Sequence, residues 1–322
     1  MNIIEVDNLT KDYGHGRGVF DVSFNVKEGE VFGFLGPNGA GKSTTIRHIM
    51  GFSRPQKGET RVFGMESFHN YYKILANVGY LPGEIALPEG LTGWEFIYMM
   101  GKLRKSENKE RLDYLLDKFK LDPSMETKRM SLGDKRKLAI ITAFMDDPEV
   151  LVLDEPTSGL DPVMQQVFID FIKEEKKKGK TILLSSHIFN EVEATCDRIA
   201  IIKDGRIVSE FETSFIKHNE NKEYVLEFDT LKDLQDFVKL FPKGHTVKGV
   251  VKKMGVMKVD EKNLTANIVF RDESVNKFLD LITKCKVKSF KEIKFTLEDY
   301  FMQFYKEDKD FGGAMQWKKK KK

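Results

Sequence analysis

Cysteine, long hydrophobic runs and a built-in basic face are all scarce in this chain, and each scarcity closes off a class of protein. Only Cys196 and Cys285 occur in 322 residues. Two cysteines make neither a disulfide framework nor a metal quartet, which points to a reducing compartment. Apolar runs such as "FIYMM" and "VLVL" fall well below the roughly 18 residues a membrane span needs, so no segment is expected to cross a bilayer. The opening "MNIIEVDNLTKDYG" has acids and no apolar block, unlike a secretory signal, and a cytosolic protein is expected. The net charge is +3, but Lys318–Lys322 contribute five positive charges, so the rest is slightly acidic. A nucleic-acid surface normally carries its basic residues within the fold, so no nucleic-acid partner is expected. The lysine run itself suits a solvated end or contact with anionic lipid headgroups.

What is present is an ordinary globular composition, 40% hydrophobic and 32% charged, on a length suited to two domains. Up to about residue 210, short apolar runs alternate with helical patterns, the mark of a parallel sheet with helices packed on it. Strands are expected at Ile3–Val6, Val22–Val26, Val31–Leu35, Thr60–Phe63, Val78–Leu81, Val150–Leu153, Thr181–Ser185, Ile199–Ile202 and Ile207–Val208. From about 84 to 146, "GWEFIYMMGKL", "KERLDYLLDKFKL" and "GDKRKLAIITAFM" repeat apolar residues at three- and four-residue spacing, so a helical insertion splits the sheet. Polar Lys217–Glu223 reads as a linker. Beyond it the pattern predicts strand (Tyr224–Phe228), helix (Leu231–Phe241), strands (Thr246–Val251 and Ala266–Phe270), helix (Val275–Lys284) and strand (Val287–Ile293). That order is βαββαβ, a ferredoxin-like α+β arrangement. A last helix, "TLEDYFMQFYKED", opens with Thr296 and Asp299 at capping-box spacing. The expected division is an α/β domain over 1–216, an accessory domain over 222–305 and a tail over 306–322.

One stretch calls for a ligand. "FGFLGPNGAGKSTT", Phe32–Thr45, places Gly36, Gly41, Lys42 and Ser43 at the spacing G-x-x-x-x-G-K-[ST] between a strand and a helix. Glycines at that density suit a backbone whose N–H groups close around phosphate, with Lys42 neutralising the outer phosphates and Ser43 on Mg²⁺. The helix that follows aims its free N–H groups at the same anion. Gly36, Asn38, Gly39, Ala40, Gly41, Lys42, Ser43 and Thr44 are therefore the candidate nucleotide-binding residues. In "EVLVLDEPTSGLDP", four apolar residues form a strand buried on both faces, and Asp154 emerges at its carboxyl end to hold the metal. Glu155 stands one residue further on, placed to take a proton from attacking water. A third strand, "KTILLSSH", ends in His187, which could hydrogen-bond a γ-phosphate.

"GPNGAGKST", "LVLDEP", "SGLD" and "SSH", in that order and with a helical insertion between the first two, resemble the ATP-binding subunit of an ABC transporter over roughly residues 1–212. The resemblance implies a P-loop NTPase fold, ATP and Mg²⁺ as cofactors, and head-to-tail dimerisation in which each ATP lies between one chain's P-loop and its partner's signature loop. "MSLGDKRKL" stands where the family has LSGGQ, so Ser131 and Gly133 would meet the partner's γ-phosphate. Tyr13 would stack on adenine with Val19 nearby, and Asp161 would couple the two sites. The resemblance further implies separate membrane permease subunits and a place at the cytoplasmic face of the membrane. "FTLEDYFMQFY" is similar to the end of subunits from the bacitracin and antibiotic-resistance branch of exporters, and "LTGWEFIYMM", with Trp94 and Tyr98 four apart, lies where the family docks its membrane partner.

Departures from the pattern are specific. Met130, Leu132 and Asp134 replace Leu, Gly and Gln of the signature, and Asp134 is expected to turn outward or cap its own helix so as not to repel a triphosphate. "GYLPGE" puts Gly83 where a metal-touching glutamine is usual, leaving Glu84 as the candidate replacement. Two alternatives stay open on these residues: a soluble ABC-type ATPase acting on nucleic acid or ribosomes, and an ATP-binding regulatory subunit with little turnover.

Overall fold

The computed structural model describes residues 1–105, 108–217, 221–240, 246–247, 250–251, 254–271, 274–293 and 296–306. The chain divides into two compact units, residues 1–213 and 214–322.

The first unit begins with two long strands, β1 (Asn2–Gly14) and β2 (Arg17–Lys27), followed by β3 (Val31–Leu35), α1 (Lys42–Ile49), β4 (Lys57–Val62), β5 (Met65–Glu66), α2 (Ser67–Asn77) and β6 (Val78–Leu81). Three helices interrupt the sheet: α3 (Gly93–Arg104), α4 (Lys109–Phe119) and α5 (Leu132–Phe144). It then resumes with β7 (Val150–Asp154), α6 (Pro162–Lys177), β8 (Thr181–Ser186), α7 (Phe189–Thr195), β9 (Arg198–Lys203) and β10 (Arg206–Glu212). The strands form two sheets, ordered β2-β1-β4-β5 and β10-β9-β3-β8-β7-β6. In the second, β9, β3, β8, β7 and β6 run parallel to their neighbours and β10 is an antiparallel edge.

Every residue of β3, β7 and β8 is buried, as a parallel strand covered on both faces requires. Phe24 of β2 joins the two sheets, stacked on Phe32 with ring centroids 5.1 Å apart and tilted against Phe34 at 5.2 Å. Helix α7 lies so close to β3 that a Cβ on Gly33 would fall 2.7 Å from Val192 and 2.9 Å from the Cys196 sulfur. That burial pushes the Cys196 thiol up to about 12. The insertion is tied to the sheet by Phe119, Phe144 and Phe171, whose rings meet edge to face. Beside them Arg111 of α4 pairs with the fully buried Glu175 of α6 at 2.7 Å.

The second unit contains α8 (Ser214–Lys217), β11 (Asn221–Glu227), α9 (Leu231–Lys239), the short pair β12 (Thr246–Val247) and β13 (Val250–Val251), β14 (Met254–Asp260), β15 (Thr265–Arg271), α10 (Val275–Ile282), β16 (Ser289–Ile293) and α11 (Leu297–Lys306). Its main sheet is antiparallel throughout, in the order β14-β15-β11-β16. Leu226, Leu234, Phe237, Phe270 and Phe278 form its core.

The differences from expectation are local. Strand β1 runs eight residues past Val6 because its polar half still pairs with β2 on one side and, as far as Thr10, with β4 on the other. The helical insertion starts at Gly93, not at 84, where the Thr92–Glu95 capping box sets the first turn. The linker is shorter than Lys217–Glu223: α8 reaches Lys217, and Asn221–Glu223 are drawn into β11 by pairing with Val269–Arg271. The second strand of the sheet is Met254–Asp260, while Thr246–Val251 supplies only β12 and β13. The lysine tail lies outside the described residues.

Candidate active site

Four strand ends of the parallel sheet meet at one edge, where open α/β sheets present their ligands. The loop after β3 runs flush against β9. A Cβ on Gly36 would lie 2.5 Å from the Ile202 carbonyl oxygen, and one on Gly41, held at φ 112°, would lie 2.7 Å from Val19. Asn38 and Gly39 are exposed at the rim, Ala40 is buried, and Ser43 and Thr44 occupy the first turn of α1, exposed and half-buried respectively. Lys42 is 4% exposed. Its Nζ donates to the carbonyls of Gly36 at 2.6 Å and Pro37 at 3.1 Å and pairs with Glu155 Oε1 at 2.9 Å.

The register of β7 against β8 places Asp154 opposite Ser185. The Ser185 hydroxyl donates to Asp154 Oδ1, which fixes the carboxylate inside a site where Asp154 is only 3% exposed. Glu155 then leaves the strand with φ 49°, a left-handed conformation that a non-glycine residue adopts at a cost and that recurs at functional sites. Its N–H donates to the Ser185 carbonyl at 3.0 Å, and the bend turns its carboxylate back toward α1. One oxygen meets Lys42 and the other meets His187 Nδ1 at 2.5 Å. Lys42, Asp154, Glu155 and His187 are thus brought to one place from β3, β7 and β8.

After β6, Gly83 sits against the same carboxylate: a Cβ there would lie 3.0 Å from Asp154 Oδ2. Glu84 follows and is exposed. At the start of α5, Ser131 is the N-cap; its hydroxyl accepts from the Asp134 N–H at 3.1 Å and donates to Asp134 Oδ2 at 2.7 Å. The cap of α5 is therefore the Ser131 side chain, while the Asp134 carboxylate is held by the Ser131 hydroxyl, and Lys137 approaches it at 3.6 Å. Met130 turns inward, 5% exposed, toward Gly93. Leu132 covers Gly159, where a Cβ would meet its side chain at 2.8 Å, and Gly133 faces the Gly159 carbonyl. Asp161 is the N-cap of α6, accepting from Val163 and Met164 N–H at 3.0 Å each, with Pro162 at the first helical position.

Tyr13 is 55% exposed, with the Lys11 ammonium 5.7 Å from its ring centre. Val19 departs from its expected place beside a base. It is fully buried under Gly41, where it supports the loop from below.

Residues that local motifs do not mark complete the site. Ser186 donates to the buried Glu191 of α7 at 2.5 Å and accepts from Ile188 N–H at 2.9 Å, shaping the turn that carries His187. Burial pushes Glu191 up to about 7, against the lowering effect of hydrogen bonds from Ser186 and Thr157. Arg136 of α5, 3% exposed, donates to three carbonyls in the loops beside Asp154. Ser185 could have been suspected from a hydroxyl inside an apolar strand, whereas Glu191 and Arg136 look like ordinary charges on helices.

The ABC transporter family profile matches residues 19–158, which contain the loop, Asp154 and Glu155. The bacitracin transport ATP-binding protein BcrA of Bacillus licheniformis is 37% identical over 234 residues, covering 70% of this chain and 74% of its own. This chain belongs to the ABC transporter ATP-binding proteins. An uncharacterised ABC transporter ATP-binding protein of Bacillus subtilis, YhcH, is 29% identical over 96% of this chain and 97% of its own, so the likeness extends through the second unit. A solved ATP-binding subunit of an ABC transporter, 32% identical, superposes with a TM-score of 0.62 over 67% of this chain and 92% of that one. The first unit is accordingly an ABC ATPase domain. Among the described residues, no helix is long and apolar enough to cross a membrane.

Proposed function

We propose that this chain is the ATP-hydrolysing subunit of an exporter, acting as a head-to-tail dimer beneath separate membrane permease subunits at the cytoplasmic face. The observation that carries the reading is the convergence of Lys42, Asp154, Glu155 and His187 at one sheet edge. The transport named for the Bacillus licheniformis relative supports a role in transport.

In this reading the loop amides of 36–44 and the Lys42 ammonium hold the phosphates. The donor set suits Mg²⁺. Among the described residues no cluster of three or more His, Cys, Asp or Glu could cage a metal. Magnesium in phosphate sites is instead held by one or two carboxylates, phosphate oxygens and waters. Buried Asp154 and the exposed Ser43 hydroxyl would be its protein ligands, with Glu84 the candidate for a third; the ion's role is to neutralise charge on the transferred phosphoryl group.

Glu155 accepts the proton of the attacking water. In the structure its carboxylate is shared between Lys42 and His187, and a phosphate that engages Lys42 competes for the first contact, leaving Glu155 steered by His187. Ser131 and Gly133 complete the partner's site, Tyr13 packs on the base, and Asp161 relays between the two sites. The second unit is an accessory ferredoxin-like domain. A groove of about 540 Å³ between α2 and α3, lined by Tyr71, Tyr72, Ile85, Leu87 and Leu103, is the docking surface for the permease. Trp94 and Tyr98 line a separate groove with Leu112.

Glu155→Gln tests the reading: ATP binding should persist while kcat falls by about 10²- to 10⁴-fold, the usual cost of losing a general base. Unchanged turnover would refute it. Glu84→Ala in the same assay should lower kcat, and an unaltered rate would remove Glu84 from the metal set.

A further inference from the structure

Arg136 lies one and a half turns into α5 and is 3% exposed, so its charge is desolvated and must be matched by what surrounds it. Among the described residues it forms no ion pair. Its Nε donates to the Ser158 carbonyl at 2.9 Å, one terminal nitrogen donates to the Pro82 carbonyl at 3.0 Å, and the other to the Gly83 carbonyl at 2.7 Å. Pro82 and Gly83 belong to the loop after β6; Ser158 belongs to the loop between β7 and α6. Burial lowers its pKa, and the nearby carboxylates of Asp154 and Glu155 oppose that lowering by favouring the charged form. The same helix start also touches the second loop through Leu132, which covers Gly159.

We propose that Arg136 is a positioning residue that binds the start of α5 and the loops at 82–83 and 158–159 into one body. A planar guanidinium reaches three carbonyls on two loops from three separate nitrogens in a fixed fork, whereas a lysine would have to gather all three around one nitrogen. The device answers a local need. Residue 83 has no side chain with which to hold its own loop, and a Cβ there would press on Asp154, so the loop is held from outside through its backbone. Resting on the functional reading above, the consequence is that any displacement of Ser131 and Gly133 is passed directly to the residues flanking Asp154.

The experiment compares the purified full chain with Arg136→Met and Arg136→Lys, measuring affinity for ATP, kcat, and amide hydrogen exchange. Arg136→Met should bind ATP within about twofold of the parent while kcat falls about tenfold or more, with Arg136→Lys between the two. Exchange should rise in 82–91 and 156–161 but not in β3 or β7. The proposal is overturned if kcat stays within about twofold of the parent, if affinity and kcat fall together, or if exchange rises equally through the strands, which is the signature of general destabilisation. If Arg136→Met does not fold, Arg136→Lys is judged by the same criteria. A parent chain that hydrolyses no ATP overturns the functional reading and this proposal with it, whereas a parent that turns over beside fully active variants overturns the proposal alone.

Discussion

The two banks of the site are built on different principles. On the bank formed by β3, β7 and β8, side chains hold side chains: Ser185 holds Asp154, and Glu155 is gripped by Lys42 and His187. On the bank formed by the loop after β6 and the start of α5, one arginine holds main-chain carbonyls, and the Ser131 hydroxyl is occupied by Asp134. The first bank fixes the atoms that would do chemistry. The second fixes a backbone, and it carries the residues at which the sequence resemblance to the family pattern breaks off, 83, 130, 132 and 134.

Three substitutions probe that contrast. The largest effect is expected from Lys42→Ala, which removes the cation of the first bank. ATP affinity, read by nucleotide titration, should fall by about 10- to 100-fold, matching roughly 1.5–3 kcal/mol for a charge-assisted hydrogen bond. A smaller loss should follow Gly83→Gln, which restores the family's residue on the second bank. Because its Cβ would fall 3.0 Å from Asp154 Oδ2, the carboxylate must shift and kcat should drop by about tenfold, misplacement being costly in a positioned site. A rise in kcat would mean that the second bank is merely eroded. The smallest change is expected for Asp134→Gln. Removing a partly exposed carboxylate and releasing Ser131 should tighten the ATP-dependent dimer of a Glu155→Gln chain about two- to fivefold, the range of an exposed charge contact. A dimer weakened by that change would show that Asp134 supports the signature loop.

The same contrast decides what could be read from the residues alone. β3 and β6 lie where their apolar runs place them, and Asp154 and Glu155 follow a run buried throughout. Local order along the chain is enough there, because each element is defined by its own side chains. Elsewhere the deciding partner is distant. Asn221–Glu223 become strand only because Val269–Arg271 lie opposite, and β14 is masked by Gly255 and Lys258 among its apolar residues. Val19, expected near the base through the resemblance, is buried beneath Gly41 once the sheet is formed. Arg136 and Glu191 occupy ordinary-looking helical positions, and the carbonyls that take Arg136 and the Thr157 hydroxyl that meets Glu191 lie on loops reached only through the fold.

The packing of α7 against Gly33 has a practical side for anyone wishing to watch this molecule work. Cys196 is sealed beneath that contact, its sulfur protonated across the working pH range. Cys285, in the second unit, is partly open to solvent. Burial pushes the Cys285 thiol up, so a maleimide dye should react slowly there, marking the second unit and sparing the catalytic half with no cysteine removed beforehand.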